Sequence, residues 1–121
     1  MPRLPTLALL ALGGMAASTA AAAQPACPLH GSRNYARKAA LPPGVVQALG
    51  FRMAERGAPF QATDVLGPAP PLPPTRFVSA RQINCRLELR FEQGGIAHTW
   101  QVALLERRGN RWVLINRRLI R

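Results

Sequence analysis

Acidic residues are scarce in this chain, with five Asp and Glu among 121 residues against sixteen Lys and Arg. That leaves little material for chemistry built on paired carboxylates. Glu88 and Glu92 are interleaved with Arg86 and Arg90 and read as cross-strand charge partners. Cysteine is limited to Cys27 and Cys85, which excludes a disulfide-dense scaffold. Aromatic residues reach only 6%, and they form no array on which nucleobases would stack. Beyond the N-terminus no apolar run is long enough to span a bilayer. A Gly-rich phosphate loop and a nucleophile-elbow motif are also missing.

What is present begins with an address. Met1 to Arg3 is a short positive start, and residues 7–12 are an unbroken Leu and Ala run. Gly13, Gly14 and small residues follow, up to Ala21-Ala22-Ala23 before Gln24. These are the three physical parts of a secretory signal peptide, expected to span residues 1–23. Cleavage after Ala23 removes one Arg and leaves 98 residues with a net charge of +10. The chain is then exported, periplasmic or secreted.

Export changes the meaning of the two cysteines, because outside the cytosol such a pair normally joins. A Cys27–Cys85 bridge closes a loop of about 58 residues, worth roughly 4 kcal/mol in the chain-entropy treatment. Lipidation of Cys27 is disfavoured, since Gln24-Pro25-Ala26 lacks the Leu expected three positions back.

Three stretches organise the mature chain. Residues 24–41 are polar and basic without a clear period, and read as an N-terminal arm. Residues 42–121 read as a single α+β domain containing a Pro-rich connector at 67–74, a stiff spacer with five prolines in eight residues. Pro42-Pro43 opens an expected helix with Val45, Val46, Leu49 and Met53 on one face and Gly57 as its stop. Gly50 lies in its middle, where a break can fall.

The last 45 residues carry the strongest pattern. Ile83, Cys85, Leu87, Leu89 and Phe91 alternate with polar residues, which is the period of a half-buried strand. Gly94-Gly95 reads as a two-residue hairpin turn. That register sets Phe91 opposite His98, Leu89 opposite Trp100, Leu87 opposite Val102 and Cys85 opposite Leu104. A second turn at Gly109-Asn110 returns the chain through residues 112–115. With a two-residue loop, Ile115 lies beside Leu104 on the core face, while Trp112 and Leu114 project from the open face beside Leu105. The expected fold is therefore one helix packed on a three-stranded antiparallel β-meander. In outline only, it resembles the single helix on a curved sheet of cystatin-like and NTF2-like folds, without a motif of either.

Catalytic and metal chemistry find little support. Cys27, His30, Cys85 and His98 are potential zinc ligands, but His98 opposite Phe91 lies six residues along the strand from Cys85. That is about 20 Å at roughly 3.3 Å per residue, so no metal site is expected. Ser32, Ser79, Asp64 and the two histidines supply no recognisable triad. His98 reads as a packed or rim histidine. The expectation is a non-enzymatic protein without cofactor.

The basic excess remains. Arg86, Arg90 and Arg118 are expected on the open sheet face with Gln101, Trp112 and Asn116, forming a surface for an anionic or mixed ligand. Arg107, Arg108 and Arg111 flank the second turn, and Arg117 and Arg121 extend the charge. Lipopolysaccharide phosphates or an anionic membrane surface are favoured over nucleic acid, and an acidic envelope protein is a further candidate. The alternative is an envelope interaction factor (an inhibitor, immunity or assembly partner) whose contact is the apolar patch of Trp112, Leu114 and Leu105. An Ala, Arg, Gly and Pro bias runs through the whole chain, so abundant Arg is not by itself a function.

Overall fold

The computed structural model describes residues 27–121 together with Pro2, Arg3, Gly13 and Gly14. The expected cleavage site after Ala23 and the rest of the leader lie outside the described residues. Within them the fold is a six-stranded sheet with one short helix, rather than a helix on a three-stranded meander. The strands are β1 (Ser32–Tyr35), β2 (Met53–Ala54), β3 (Thr75–Ile83), β4 (Arg86–Gln93), β5 (Thr99–Arg108) and β6 (Arg111–Leu119). The helix, α1, covers Val45–Leu49. The spatial order is β1-β3-β4-β5-β6, with β2 beside β3. All neighbours are antiparallel except β2 and β3.

The helix is short because Gly50 stops it. Gly50 adopts the left-handed conformation, φ 78°, and its N–H returns to the Gln47 carbonyl. Glycine takes this position without a Cβ penalty, which makes it the common helix terminator. Val45 and Leu49 are buried as their spacing requires. Met53 is buried too, but from β2, whose partner is Thr75 of β3. The apolar spacing of Val45, Val46, Leu49 and Met53 that read as one helical face is thus shared between a helix and a strand.

Two further elements correct the expected layout. The basic arm is part of the sheet: β1 pairs with the second half of β3, and Tyr35 joins the core. β3 is the larger addition, since it contacts β1, β2 and β4. Its inward residues are Thr75 and Phe77 before a bulge, and Ala80 after it. One extra residue at Val78 reverses the alternation and hides a nine-residue strand from a period-two search. Ile83 ends β3, and a turn at Asn84–Cys85 separates it from β4.

The β4–β5 register also differs from expectation. Phe91 faces Gln101, Leu89 faces Ala103 and Leu87 faces Leu105, a displacement of three residues. An odd displacement exchanges the faces of a strand. Gln101, Ala103 and Leu105 therefore point into the core, while Val102 and Leu104 point outward. The connecting loop is residues 94–98, between the paired Gln93 and Thr99. Gly94-Gly95 serves a different purpose: Gly94 donates to the Pro74 carbonyl at 3.0 Å, and Gly95 bridges to Thr63. A Cβ on Gly94 would collide with the Gln61 carbonyl oxygen and Ala62. Glycine lets two segments pass here.

The second turn is the expected two-residue loop, with Arg108 opposite Arg111. Trp112 and Leu114 lie beside Leu105 as anticipated, but that face is the core. Trp112 is 6% exposed and packs in one cluster with Val45, Leu49, Leu87 and Leu105. A bulge between Leu104 and Leu105 then shifts β6, so Ala103 faces Arg117 and Val102 faces Arg118.

Candidate functional site

The core face of the sheet is covered by α1 and the loops around it, with Leu29, Leu41, Ala48 and Phe51 completing the cluster. The opposite face is closed at its Glu92 end, where Phe60 packs on Arg76 and His98, and is open over the cross-strand rows beyond. One row runs Ser79, Arg90, Val102, Arg118 across β3 to β6. The next runs Asn34, Arg81, Glu88, Leu104, Asn116. A third places Ile83, Arg86 and Glu106 side by side. Two strand spacings set Arg90 and Arg118 about 10 Å apart, with Val102 sheltered between them at 2% exposure.

Of the six residues expected to share the open face, four do: Arg86, Arg90, Asn116 and Arg118, all exposed. Gln101 and Trp112 lie on the other side. Gln101 is buried and donates to Gln93 and Thr99, while accepting from Arg117 Nε. Trp112 sits beneath α1, its indole N–H buried without a protein partner. The apolar patch of Trp112, Leu114 and Leu105 is therefore core rather than contact surface, with Leu105 fully buried. Both corrections have one cause, the three-residue displacement of β5 on β4.

Arg81 and Ser79 of β3, and Arg56 after β2, also line this face, where the expected three-stranded meander had no place for them. Asn34 was missed because its arm was not read as a strand. The alternation of Thr75 and Phe77, resumed in shifted phase at Ala80, was the available signal.

Ion pairing is confined to one end of this face. Among the described residues, carboxylate ion pairs within 4.0 Å form only at Glu92. Arg76 grips it with Nε at 2.5 Å and Nη2 at 3.1 Å. Those hydrogen bonds outweigh partial desolvation and hold the Arg76 guanidinium above the ordinary arginine range. His98 Nε2 lies 3.3 Å from the same carboxylate, and its ring stacks on Trp100 with centroids 5.6 Å apart. This places His98 at the exposed rim of the sheet. Burial pushes Arg117 below the arginine range, where it lies over the Phe51 and Phe91 rings. By contrast Arg81, Arg86, Arg90 and Arg118 have no carboxylate within 4.0 Å and make no side-chain hydrogen bond to the protein.

Two grooves open on this face. One, of about 600 Å³, runs past the disulfide between Arg81, Arg86, Glu88, Leu104 and Glu106. Its two arginines are balanced by two glutamates. The other, of about 400 Å³, lies over β1, β3 and β4 and is lined by Arg56, Arg81 and Arg90 with Glu88 as its one acid. Cys27 and Cys85 are joined, Cα atoms 5.8 Å apart, fixing the arm to the β3–β4 turn. They are consequently not metal ligands, and no group of three or more His, Cys, Asp or Glu side chains able to hold an ion occurs among the described residues.

Compared with known protein families, with curated proteins and with solved structures, the chain matches none.

Proposed function

We propose that the protein is a small exported binding module, without catalytic activity or cofactor, whose outer sheet face takes an anionic partner of the envelope or extracellular space. One observation carries this reading: four guanidinium groups on the outer sheet face, at Arg81, Arg86, Arg90 and Arg118, are exposed and stand in no ion pair within 4.0 Å. Each is a planar fork matched to phosphate or carboxylate oxygens. Lipopolysaccharide phosphates or an anionic membrane surface fit better than nucleic acid. Trp112 is buried and Trp100 is taken up by His98 and Arg121, so this face offers no aromatic platform for bases. The Cys27–Cys85 bridge agrees with an oxidising compartment, as does a signal peptide over residues 1–23.

The test is binding to lipopolysaccharide and to anionic and neutral vesicles at 50 and 200 mM salt. The expected outcome is binding to anionic surfaces that falls steeply with salt, as multi-charge contacts require. The triple variant R86A/R90A/R118A should bind about tenfold more weakly or worse while keeping its fold. Undiminished binding by that variant would show that another surface is responsible.

A further inference from the structure

The outer face is not uniform, and its grooves differ in charge. The groove beside the disulfide is neutral, with two arginines and two glutamates. The groove over β1, β3 and β4 carries three arginines and one glutamate, a net +2. Resting on the anion-binding reading above, we infer that this second groove, walled by Asn34, Arg56, Ser79, Arg81, Glu88 and Arg90, is a site for a phosphate monoester.

Its geometry follows from the strands. Asn34, Arg81 and Glu88 form one cross-strand row over β1, β3 and β4. Ser79 and Arg90 form the adjoining row, at the end of the β3 bulge. Bulges re-aim side chains and recur beside functional sites. Arg56 enters from the turn after β2, so cations reach the groove from three separate segments. None of the three has a carboxylate within 4.0 Å, and the Ser79 hydroxyl and Asn34 carboxamide make no hydrogen bond to the protein. Glu88 stands directly across from Arg81 without pairing to it.

Charge selects the ligand class. A phosphate monoester is a dianion above its second pKa of about 6, which cancels the +2 of the groove. A diester or a carboxylate cancels half of it. Three terminal oxygens can also accept from three guanidinium forks at once, while the single ester substituent leaves through the open side. Tyr35 at the groove floor is 6% exposed and its hydroxyl is committed to Gln82. No ring is therefore free to recognise a base, and selectivity rests on the phosphate.

The monoester could belong to a soluble sugar or glycerol phosphate, or to a lipid head group. The experiment uses the disulfide-intact protein with glycerol phosphate in solution, and with neutral vesicles containing either phosphatidic acid, a monoester, or phosphatidylglycerol, a diester. Variants R56A and R81A alter the groove, S79A removes its hydroxyl with little risk to folding, R118A alters the same face outside it, and R108A removes an exposed charge at the second turn. The expected result is saturable binding of glycerol phosphate, or preference for phosphatidic acid over phosphatidylglycerol, weakened roughly tenfold by R56A and by R81A, less by R118A, and unchanged by R108A. Affinity should fall as the pH drops through about 6, where the ligand becomes a monoanion. Glu88 and Tyr35 are the other titratable groups in the lining besides the three arginines. Equal binding of both lipids, insensitive to R56A but lost in R118A, would overturn the groove while leaving the general anionic face intact. Absence of binding to every probe would overturn both.

Discussion

Gly94 shows how one residue can be legible and still be misread. Beside Gly95 it carries the signature of a hairpin turn, yet the chain needs it because the Gln61–Ala62 backbone crosses where a side chain would stand. Gly94→Ala should therefore lower stability by about 1–3 kcal/mol, as overpacking does. Gly67→Ala, where a Cβ meets open space, should stay within roughly 0.5 kcal/mol. Urea unfolding of the two variants distinguishes these outcomes. Glu55 is a residue of the opposite kind, with no signal in sequence and a clear structural use. Its carboxylate accepts from the backbone N–H groups of Lys38, Ala39 and Arg56 at 2.7, 3.0 and 2.8 Å. Partial burial raises its pKa, but those three hydrogen bonds, with the Lys38 charge, outweigh it and hold the pKa below the usual 4.5. A folded-state pKa below the unfolded one contributes stability above the unfolded value and loses it as pH falls through the folded one. Glu55→Gln should therefore cost about 1 kcal/mol near neutrality and flatten the loss of stability on acidification below pH 4.5. An unchanged acid limb in the variant would mean that other carboxylates carry it.

At the scale of elements, the readable features were those with local causes. Gly109-Asn110 makes its two-residue turn, Leu105 meets Leu114, and Gly50 ends α1. The elements that escaped reading owe their form to distant partners. β3 hides behind a bulge, β1 carries one buried residue in four, and the β4–β5 register is set where residues 61–63 cross Gly94-Gly95. Alternation identifies a strand but not the face that another segment will cover, so the candidate site kept its arginines and lost Trp112 and Gln101. Trp112 provides the measurement for this scale. As a surface ligand contact it would be replaceable without cost. In the core against Val45 and Leu105, Trp112→Ala should cost about 3–5 kcal/mol. Trp112→Phe should leave only the half-buried Trp100 emitting, more readily quenched by acrylamide than the parent protein.

The whole molecule is held by a small core and one covalent tie, and its charge works against it. The Cys27–Cys85 bridge joins the start of the described chain to the β3–β4 turn across 58 residues. Replacing both cysteines with Ser should cost about 4 kcal/mol, a large share of what a domain this size has. Self-repulsion is the counterweight. The formal charge is +11, and among the described residues only Arg76 and His98 stand within ion-pair distance of a carboxylate. Unpaired like charges destabilise a compact state, and salt screens them over about 10 Å or less. Added sodium chloride should accordingly raise the melting temperature, by roughly 4–8 °C if the relief is about 1 kcal/mol. The same salt should weaken binding to an anionic surface. A folding module with neutralised arginines would show neither trend. Opposite slopes of stability and affinity against salt in one protein are what an unpaired cationic face requires, and R86A/R90A/R118A should reduce both slopes together. If only the affinity slope falls, the repulsion lies elsewhere, in Arg107, Arg108 and Arg111 at the second turn.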